Sequence, residues 1–291
     1  MSTVSPEAVP TPRSPGAPRT PPRALWHSEA DVVLYERESL VYLLLLHGSL
    51  GLALFEWLPL WALGLVVMVV IPRLQLSLHE LMHIRTARQV HPINRLFAQL
   101  DTPLSLGYHE YRALHLEHHR YPAEERDPEW YQIRGGHLSA LLCSAVASEV
   151  GFLSWVRKHG VGRELLVGGT LRLGLMGTAL WLNPQVFLFF WVMVRTVLWL
   201  ALFTFHHVLH YRDGSYGTFR LTQPLLCFLV RVLLGTRNVS VVCEHDAHHA
   251  WPQVRAAELP GLLQRFPPLD PRGRESWVAS ALAEDTSGRA A

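Results

Sequence analysis

Apolar residues along this chain are grouped into long runs that alternate with strongly polar stretches. The first two runs cover about residues 39–55 and 59–78, with a short turn at Glu56 and Trp57 between them, and Pro72 interrupts the second run. Each run is close to the ~20 apolar residues that a helix needs to cross ~30 Å of hydrocarbon. Two such runs joined by so short a turn predict a transmembrane helical hairpin.

A second pair of apolar runs covers about residues 165–182 and 185–205, with Asn183 and Pro184 as the turn. It predicts a second transmembrane hairpin. Tryptophans lie near both turns, where interfacial aromatic residues are common. They are Trp57, Trp61 and Trp181. We therefore predict an all-α integral membrane protein with four transmembrane helices in two hairpins.

Two further apolar runs, about residues 138–155 and 225–234, are less suited to crossing a bilayer. Serine, alanine and Glu149 dilute the first run, and the second is too short to span. Both runs predict interfacial or core helices.

Arg172 and Arg195 lie inside the second predicted hairpin, where buried charge is costly. We expect both side chains to snorkel to the interface or to pair with a neighbouring carboxylate. The alternative is that one of them holds an acidic group of a substrate.

Positive charge predicts the orientation of the bundle. Of the 26 lysines and arginines, four lie before residue 39, eleven lie in the central loop at about 72–163, and nine follow residue 205, whereas the two turns have none. By the positive-inside rule, both termini and the central loop are cytoplasmic. The histidine-rich parts of the chain then form a cytosolic helical cap on the bundle.

The two ends of the chain differ from the apolar centre. Residues 1–24 contain seven prolines and no apolar core of a signal peptide, so we predict a disordered tail. We expect the membrane domain to cover residues 25–265 and a C-terminal tail to cover 266–291. The net charge of +2 gives no indication of nucleic-acid binding, and the three cysteines, none in a CxxC pair, argue against a disulfide framework or a cysteine-ligated cluster.

Four clusters hold many of the 17 histidines. They are His79-Glu-Leu-Met-His83, His115-Leu-Glu-His118-His119, His206-His207-Val-Leu-His210 and His245-Asp-Ala-His248-His249. Residues three or four apart share one face of a helix, so His79 and His83 can point at one ion, and His206 and His210 match the same spacing. In each HxxHH box the first histidine shares its face with both of the last two. The predicted topology places all four clusters on the same side of the membrane. Nine or ten imidazoles exceed the ligand number of one ion, so two metal ions are predicted.

The other histidines are isolated, and an isolated histidine is usually a surface or hydrogen-bonded residue. We expect this for His27, His47, His91, His109, His137 and His159.

The combination of HxxxH, HxxHH and a late HxxHH around two hairpins resembles the membrane fatty acid desaturase superfamily, which also contains carotenoid hydroxylases and ketolases. The resemblance extends over about residues 39–260. It implies a di-iron centre, and it implies as ligands His79, His83, His115, His118, His119, His245, His248 and His249. A further ligand at the end of the fourth span is implied at His210. His206 is also a candidate, and it departs from the family pattern because some members have an asparagine at that position; His207 is the next candidate.

The resemblance implies oxygen-dependent attack on an unactivated C–H bond, giving a double bond or an alcohol. Electrons would come from a separate ferredoxin-, rubredoxin- or cytochrome-type donor. We expect a fatty acyl or lipid desaturase. The alternative is a carotenoid or terpenoid hydroxylase or ketolase, because the chain is short and Asp127-Pro128-Glu129-Trp130 is similar to a segment of carotenoid ketolases. A remote alternative is a zinc metalloprotease, in which Glu80 of the HExxH motif is the general base.

Overall fold

The structure is a computed structural model that describes residues 20–96, 102–210, 221 and 223–266. Every regular element within these residues is helical, which agrees with the predicted all-α class. The α-helices are α1 (Glu29–Leu54), α2 (Leu60–Ile84), α3 (Pro92–Leu96), α4 (Tyr108–Arg120), α5 (Trp130–Ile133), α6 (His137–Ala145), α7 (Ala147–His159), α8 (Arg163–Leu182), α9 (Pro184–Leu202), α10 (Pro224–Leu234), α11 (Val239–Cys243), α12 (His245–Ala250) and α13 (Leu262–Arg265).

The first hairpin, α1 with α2, begins at a capping box. The Ser28 side chain accepts a hydrogen bond from the Asp31 amide, and the Asp31 carboxylate accepts one from the Ser28 amide. Pro72 does not interrupt α2, although a proline removes one helical hydrogen bond. Ile71 before it and Leu74 after it are both buried, and this packing holds the helix continuous.

The second hairpin, α8 with α9, turns at the residues that the sequence indicates. The Asn183 side chain caps α9 by accepting a hydrogen bond from the Val186 amide at 3.2 Å, and Pro184 occupies the first helical position. An apolar core joins α9 to the first hairpin. Its buried members include Leu46 of α1, Val67 and Ile71 of α2, and Val194 and Leu198 of α9.

Three helices in the described part of the chain are long and apolar enough to cross a membrane: α2, α8, and α9 with its extension to Val208. α1 contains the predicted first span but is not among them. α6 and α7 together pass the same test as a pair bent by 67°, a shape typical of a broken span or a re-entrant segment. The predicted count of four spans therefore stays a prediction. The three tryptophans near the turns are strongly exposed, as interfacial residues should be.

The last described part of the chain forms a small apolar core of its own. Val241, Trp251, Leu259 and Leu262 are buried there with several smaller residues. Leu25 and Trp26, from the segment before α1, pack against this core. Residues 23–25 form a short 3₁₀ helix, so the described end of the predicted tail has regular structure, while residues 1–19 and 267–291 lie outside the described part.

Candidate metal centre

The four histidine clusters meet at one end of the bundle, the end opposite both turns. His79 and His83 lie in the last two turns of α2, and His210 follows the extension of α9. The second cluster lies on α4, and the fourth lies on α12. The predicted convergence of the clusters is therefore present in the structure.

The first group of nitrogens comes from three helices. His79, His83, His119 and His248 each offer one nitrogen, and these atoms lie within 4.8 Å of one another. His115 joins them, because its Nε2 lies 3.1 Å from Nε2 of His83. We refer to these five residues as the first site.

The second group contains a closed triangle of imidazole nitrogens. The Nε2 atoms of His210, His245 and His249 are 3.1–3.2 Å apart in all three pairs. His118 offers a nitrogen within 4.8 Å of those of His210 and His249. We refer to these four residues as the second site. His119 stacks on His249 with ring centroids 4.2 Å apart, so the two sites adjoin.

The tautomers of the second site favour a cation over a hydrogen-bonded cluster. Nδ1 of His210 lies 2.8 Å from the Phe205 carbonyl, and Nδ1 of His245 lies 3.3 Å from the Val241 carbonyl. A carbonyl oxygen only accepts hydrogen bonds, so each Nδ1 must carry the proton of its ring. In a neutral imidazole the Nε2 atom is then unprotonated and presents a lone pair. Two lone pairs facing each other at 3.2 Å repel unless a positive charge lies between them. The donor set thus fits a bound metal ion.

Each HxxHH box divides its histidines between the two sites. His115 and His119, four residues apart, belong to the first site, whereas His118 belongs to the second. The late box is the converse: His245 and His249 belong to the second site and His248 to the first. Neighbouring residues of a helix point about 100° apart, so adjacent histidines cannot share one ion.

Asp127 orients the histidine that α4 contributes to the second site. Its carboxylate accepts a hydrogen bond from His118 Nδ1 at 2.8 Å, which leaves Nε2 of His118 for a metal. The same carboxylate accepts from the amides of Ala123 and Glu129. Burial opposes a charge on His118, but Asp127 and Glu129 outweigh it and raise the pKa of His118 to about 9. The positive charge that the carboxylates favour can be a proton or a metal ion.

The other imidazoles outside the membrane-spanning segments have the opposite shift. Burial, followed by the neighbouring histidines, lowers the pKa of His115, His119, His245 and His249 well below the usual value. The same causes lower the pKa of His248 to about 3. Neutral imidazole is the form that binds metals, so burial keeps these candidate ligands in the binding form at neutral pH.

The third cluster departs from the predicted geometry. Residues 203–208 form a π-helix, and not the α-helix that the spacing of His206 and His210 predicts. Nδ1 of His206 lies 2.8 Å from the Glu129 carboxylate. His207 points away from both sites, toward the Ile133 carbonyl and His137. His210 thus lies in the second site. His206 forms a separate group with His118 and Glu129 that could hold a metal ion, and its role as a ligand stays a prediction.

An apolar cavity of about 680 Å³, measured with its open mouth, reaches both sites. Its apolar wall includes Pro72 and Leu76 of α2 and Leu198 and Leu202 of α9. Its floor includes histidines of both sites and His206. Ligand cavities in proteins usually have such a largely apolar lining with a few polar groups.

A family model for fatty acid desaturases matches residues 55–280, about three quarters of the chain. The chain belongs to the fatty acid desaturase family. No curated protein and no solved structure matches it significantly. The resemblance inferred from the histidine clusters is therefore confirmed. The family consists of desaturase- and hydroxylase-type oxidoreductases of membranes and is known for di-iron centres, which supports an enzyme with metal in these sites.

The HExxH motif of this family member lacks the geometry of a protease. Glu80 is fully buried, and its carboxylate accepts a hydrogen bond from Nδ1 of His79 at 3.0 Å. His27 contacts the other carboxylate oxygen at 3.3 Å. A general base must reach a metal-bound water, whereas this carboxylate lies behind the imidazole. Glu80 thus orients the His79 imidazole.

The isolated histidines are mostly structural in this family member. His91, His109 and His159 are exposed, and Nδ1 of His47 contacts the Leu43 carbonyl. His27 is the exception, because its side chain reaches Glu80 behind the first site. The acidic residues near His27 in the sequence are Glu29 and Asp31, whereas Glu80 is distant, so local sequence gives no indication of this contact.

The two intramembrane arginines have partners inside the protein. Arg195 forms an ion pair with Glu149 of α7 at 2.9 Å and donates to the Ala145 carbonyl. Arg172 donates to the Ser105 carbonyl at 2.7 Å. These contacts favour the structural alternative for both residues over a substrate anchor.

Proposed function

We propose that the chain is an oxygen-dependent di-iron oxidoreductase of the membrane, and that its substrate is a fatty acyl chain of a lipid. The observation that carries this proposal is the pair of adjoining histidine sites that faces one apolar cavity. Family membership supports an oxidoreductase of the desaturase or hydroxylase type. The cavity supports a hydrophobic substrate, because it offers an apolar wall leading to the histidines.

The first iron ion would be held by His79, His83, His115, His119 and His248, and the second by His118, His210, His245 and His249. The fit rests on the nitrogen geometry and on lone pairs that face one another. When bound, the di-iron centre supplies oxygen activation for attack on a C–H bond. An all-histidine shell suits iron through neutral imidazole nitrogens.

The chain's own residues position the substrate and the ligands. The apolar wall formed by α2 and α9 would hold an acyl chain against the centre and exclude water from it. Asp127 and Glu80 each accept a hydrogen bond from the Nδ1–H of an imidazole, of His118 and His79 respectively, and so fix its orientation. Such positioning keeps one C–H bond near the centre, which is what regiospecific oxidation requires.

We propose that both termini and the metal centre face the cytoplasm, because basic residues are concentrated there and the turns have none. Electrons would be delivered by a separate ferredoxin-, rubredoxin- or cytochrome-type donor. Cysteine-scanning with a membrane-impermeant label tests the orientation. Labelling at Trp57→Cys from outside intact cells is expected, and labelling at His159→Cys from outside would contradict it.

The substrate is tested by lipid and pigment profiling of a host that expresses the chain. We expect new unsaturated acyl chains with the wild type and with His159→Ala, an exposed histidine far from the sites. We expect none with His115→Ala. A new pigment with unchanged acyl chains would overturn the acyl substrate and support a carotenoid hydroxylase or ketolase. Purified wild-type protein without iron would overturn the metal mechanism.

A further inference from the structure

The segment that precedes α1 is bound to the chain just beyond the last histidine cluster. The His27 amide donates to the Gln253 carbonyl at 3.0 Å, and the Arg255 amide donates to the Leu25 carbonyl at 3.0 Å. Trp26 and Val254 form an isolated antiparallel bridge between these hydrogen bonds. Residues 25–28 are thereby fixed next to the part of the chain that carries three ligands of the metal centre.

This attachment directs the His27 side chain into the protein interior. The side chain is 1% exposed, and its Nε2 lies 3.3 Å from Oε2 of Glu80, which is itself 0% exposed. The His27 ring also meets Tyr35 edge to face, with centroids 5.7 Å apart. The capping box at Ser28 fixes the chain direction immediately after His27. Backbone and ring contacts thus hold the imidazole in place at the carboxylate.

Glu80 connects His27 to the first site. Its Oε1 accepts a hydrogen bond from Nδ1 of His79, while its Oε2 faces His27. A buried carboxylate is costly unless donors surround it, and with one donor it could rotate to seek another. A second imidazole on the opposite oxygen holds the carboxylate in one orientation. That orientation keeps the proton of His79 on Nδ1 and leaves Nε2 for a metal.

We propose that His27 is a positioning residue of the metal centre, which acts through Glu80 to orient His79. The inference rests on the proposed metal-binding function. It adds to the centre a histidine from outside the four clusters, contributed by the segment before the first helix. Because His27 is tied to residues 253–255, the same contact links the N-terminal segment, the first site and the region behind the late HxxHH box.

The test measures release of metal to a chelator from the purified full-length protein loaded with iron, and the absorption spectrum of its cobalt form. Substitutions of residues that orient metal ligands typically weaken binding 10–100-fold. We therefore expect His27→Leu to release one ion at least about tenfold faster than wild type. His27→Gln, whose amide can take the place of Nε2, should restore slow release and the wild-type cobalt spectrum. His159→Leu is the matched control and should release both ions at the wild-type rate.

A double-substitution cycle separates this role from general stability. In a Glu80→Gln background, His27→Leu should add little to the rate of release, because the two residues act in series. Unchanged release from His27→Leu would overturn the proposal, even if its thermal stability fell, and so would equal release from the Leu and Gln variants. If His27→Leu does not fold, His27→Asn, too short to reach Glu80, replaces it with the same expectation. A wild-type protein that binds no metal would instead overturn the proposed function itself.

Discussion

The two candidate metal sites adjoin, yet the protein supports them differently. The first site is backed by a carboxylate from the same helix as its ligands, since Glu80 follows His79 directly, and by His27. The second site is backed by Asp127, which lies in the loop after α4, and by the backbone carbonyls of Phe205 and Val241. One site therefore depends on α2 and the N-terminal segment, and the other depends on a loop and a π-helix.

The comparison explains why two HxxHH boxes are needed. Each box gives two imidazoles four residues apart to one site and a third to the other. Because α4 and α12 contribute in opposite senses, neither site can be assembled without both helices. The centre is thus a single unit with two unequal supports, and variants at each support should affect the ions unequally.

Loss of a triangle ligand should have the largest effect. His249→Ala removes one corner of the nitrogen triangle and the ring that stacks on His119. We expect iron to fall from two ions to one or fewer per chain and activity to fall by more than about a hundredfold. Metal analysis and lipid profiling measure both, with His159→Ala as the control. Two retained ions would show that the triangle is not a ligand set.

Loss of the Asp127 carboxylate, which supports the second site, should have the next largest effect on metal binding. Asp127→Asn takes away the charge that His118 faces while preserving side-chain size. We expect the second ion to bind about 10–100-fold more weakly and the first to be little changed. Chelator titration resolves the two ions. Equal weakening of both would contradict separate supports.

Acid should destabilise the metal-depleted chain. The pKa values of His115, His119, His245, His248 and His249 are lowered, so below about pH 6.5 the unfolded chain binds protons that the folded chain excludes. Stability should fall between pH 7 and 5, by up to ~1.4 kcal/mol per pH unit for each such histidine.

His118 has the opposite sign, since its pKa is raised to about 9. Its contribution to the free energy of unfolding is fully present below about pH 6.5 and is lost as the pH rises through about 9. Thermal unfolding across pH measures both trends, and Asp127→Asn should abolish the alkaline one alone. A metal-depleted chain that gains stability on acidification would contradict this assignment.

His206→Ala should have the smallest effect on metal content. Its imidazole contacts Glu129 and lies outside both sites, whereas His210 is part of the triangle. We expect His206→Ala to keep two ions and His210→Ala to lose one. Because His206 lines the cavity, we expect its substitution to change the distribution of products. Loss of an ion from His206→Ala would restore it to the ligand set.

Much of this arrangement follows from local sequence. The second hairpin, its Asn183 cap and the convergence of the histidine clusters are consequences of apolar runs and helical spacing, which are local properties. The π-helix at 203–208 is not, because this segment packs against α5 and α6, which are distant in the sequence. The division of each HxxHH box between the two sites also cannot be predicted from residue spacing alone, since it depends on the relative positions of α4 and α12.

His27 illustrates the same limit most clearly. In the sequence it is an isolated histidine beside a proline-rich stretch, and only tertiary pairing with residues 253–255 brings it to Glu80. The α6–α7 bend at Val146 is a similar case, since the sequence indicates one diluted apolar run. Contacts between segments that are distant in the chain determine these features. The periodicity of apolar residues in the sequence does not indicate such contacts.

The most direct test of the central claim is metal analysis of purified full-length protein, for the wild type and for one ligand variant of each site. Two iron ions per chain are expected in the wild type. His83→Ala and His245→Ala should each lose the ion of their own site first. One zinc ion and no iron in the wild type, or two ions retained in both variants, would contradict the account.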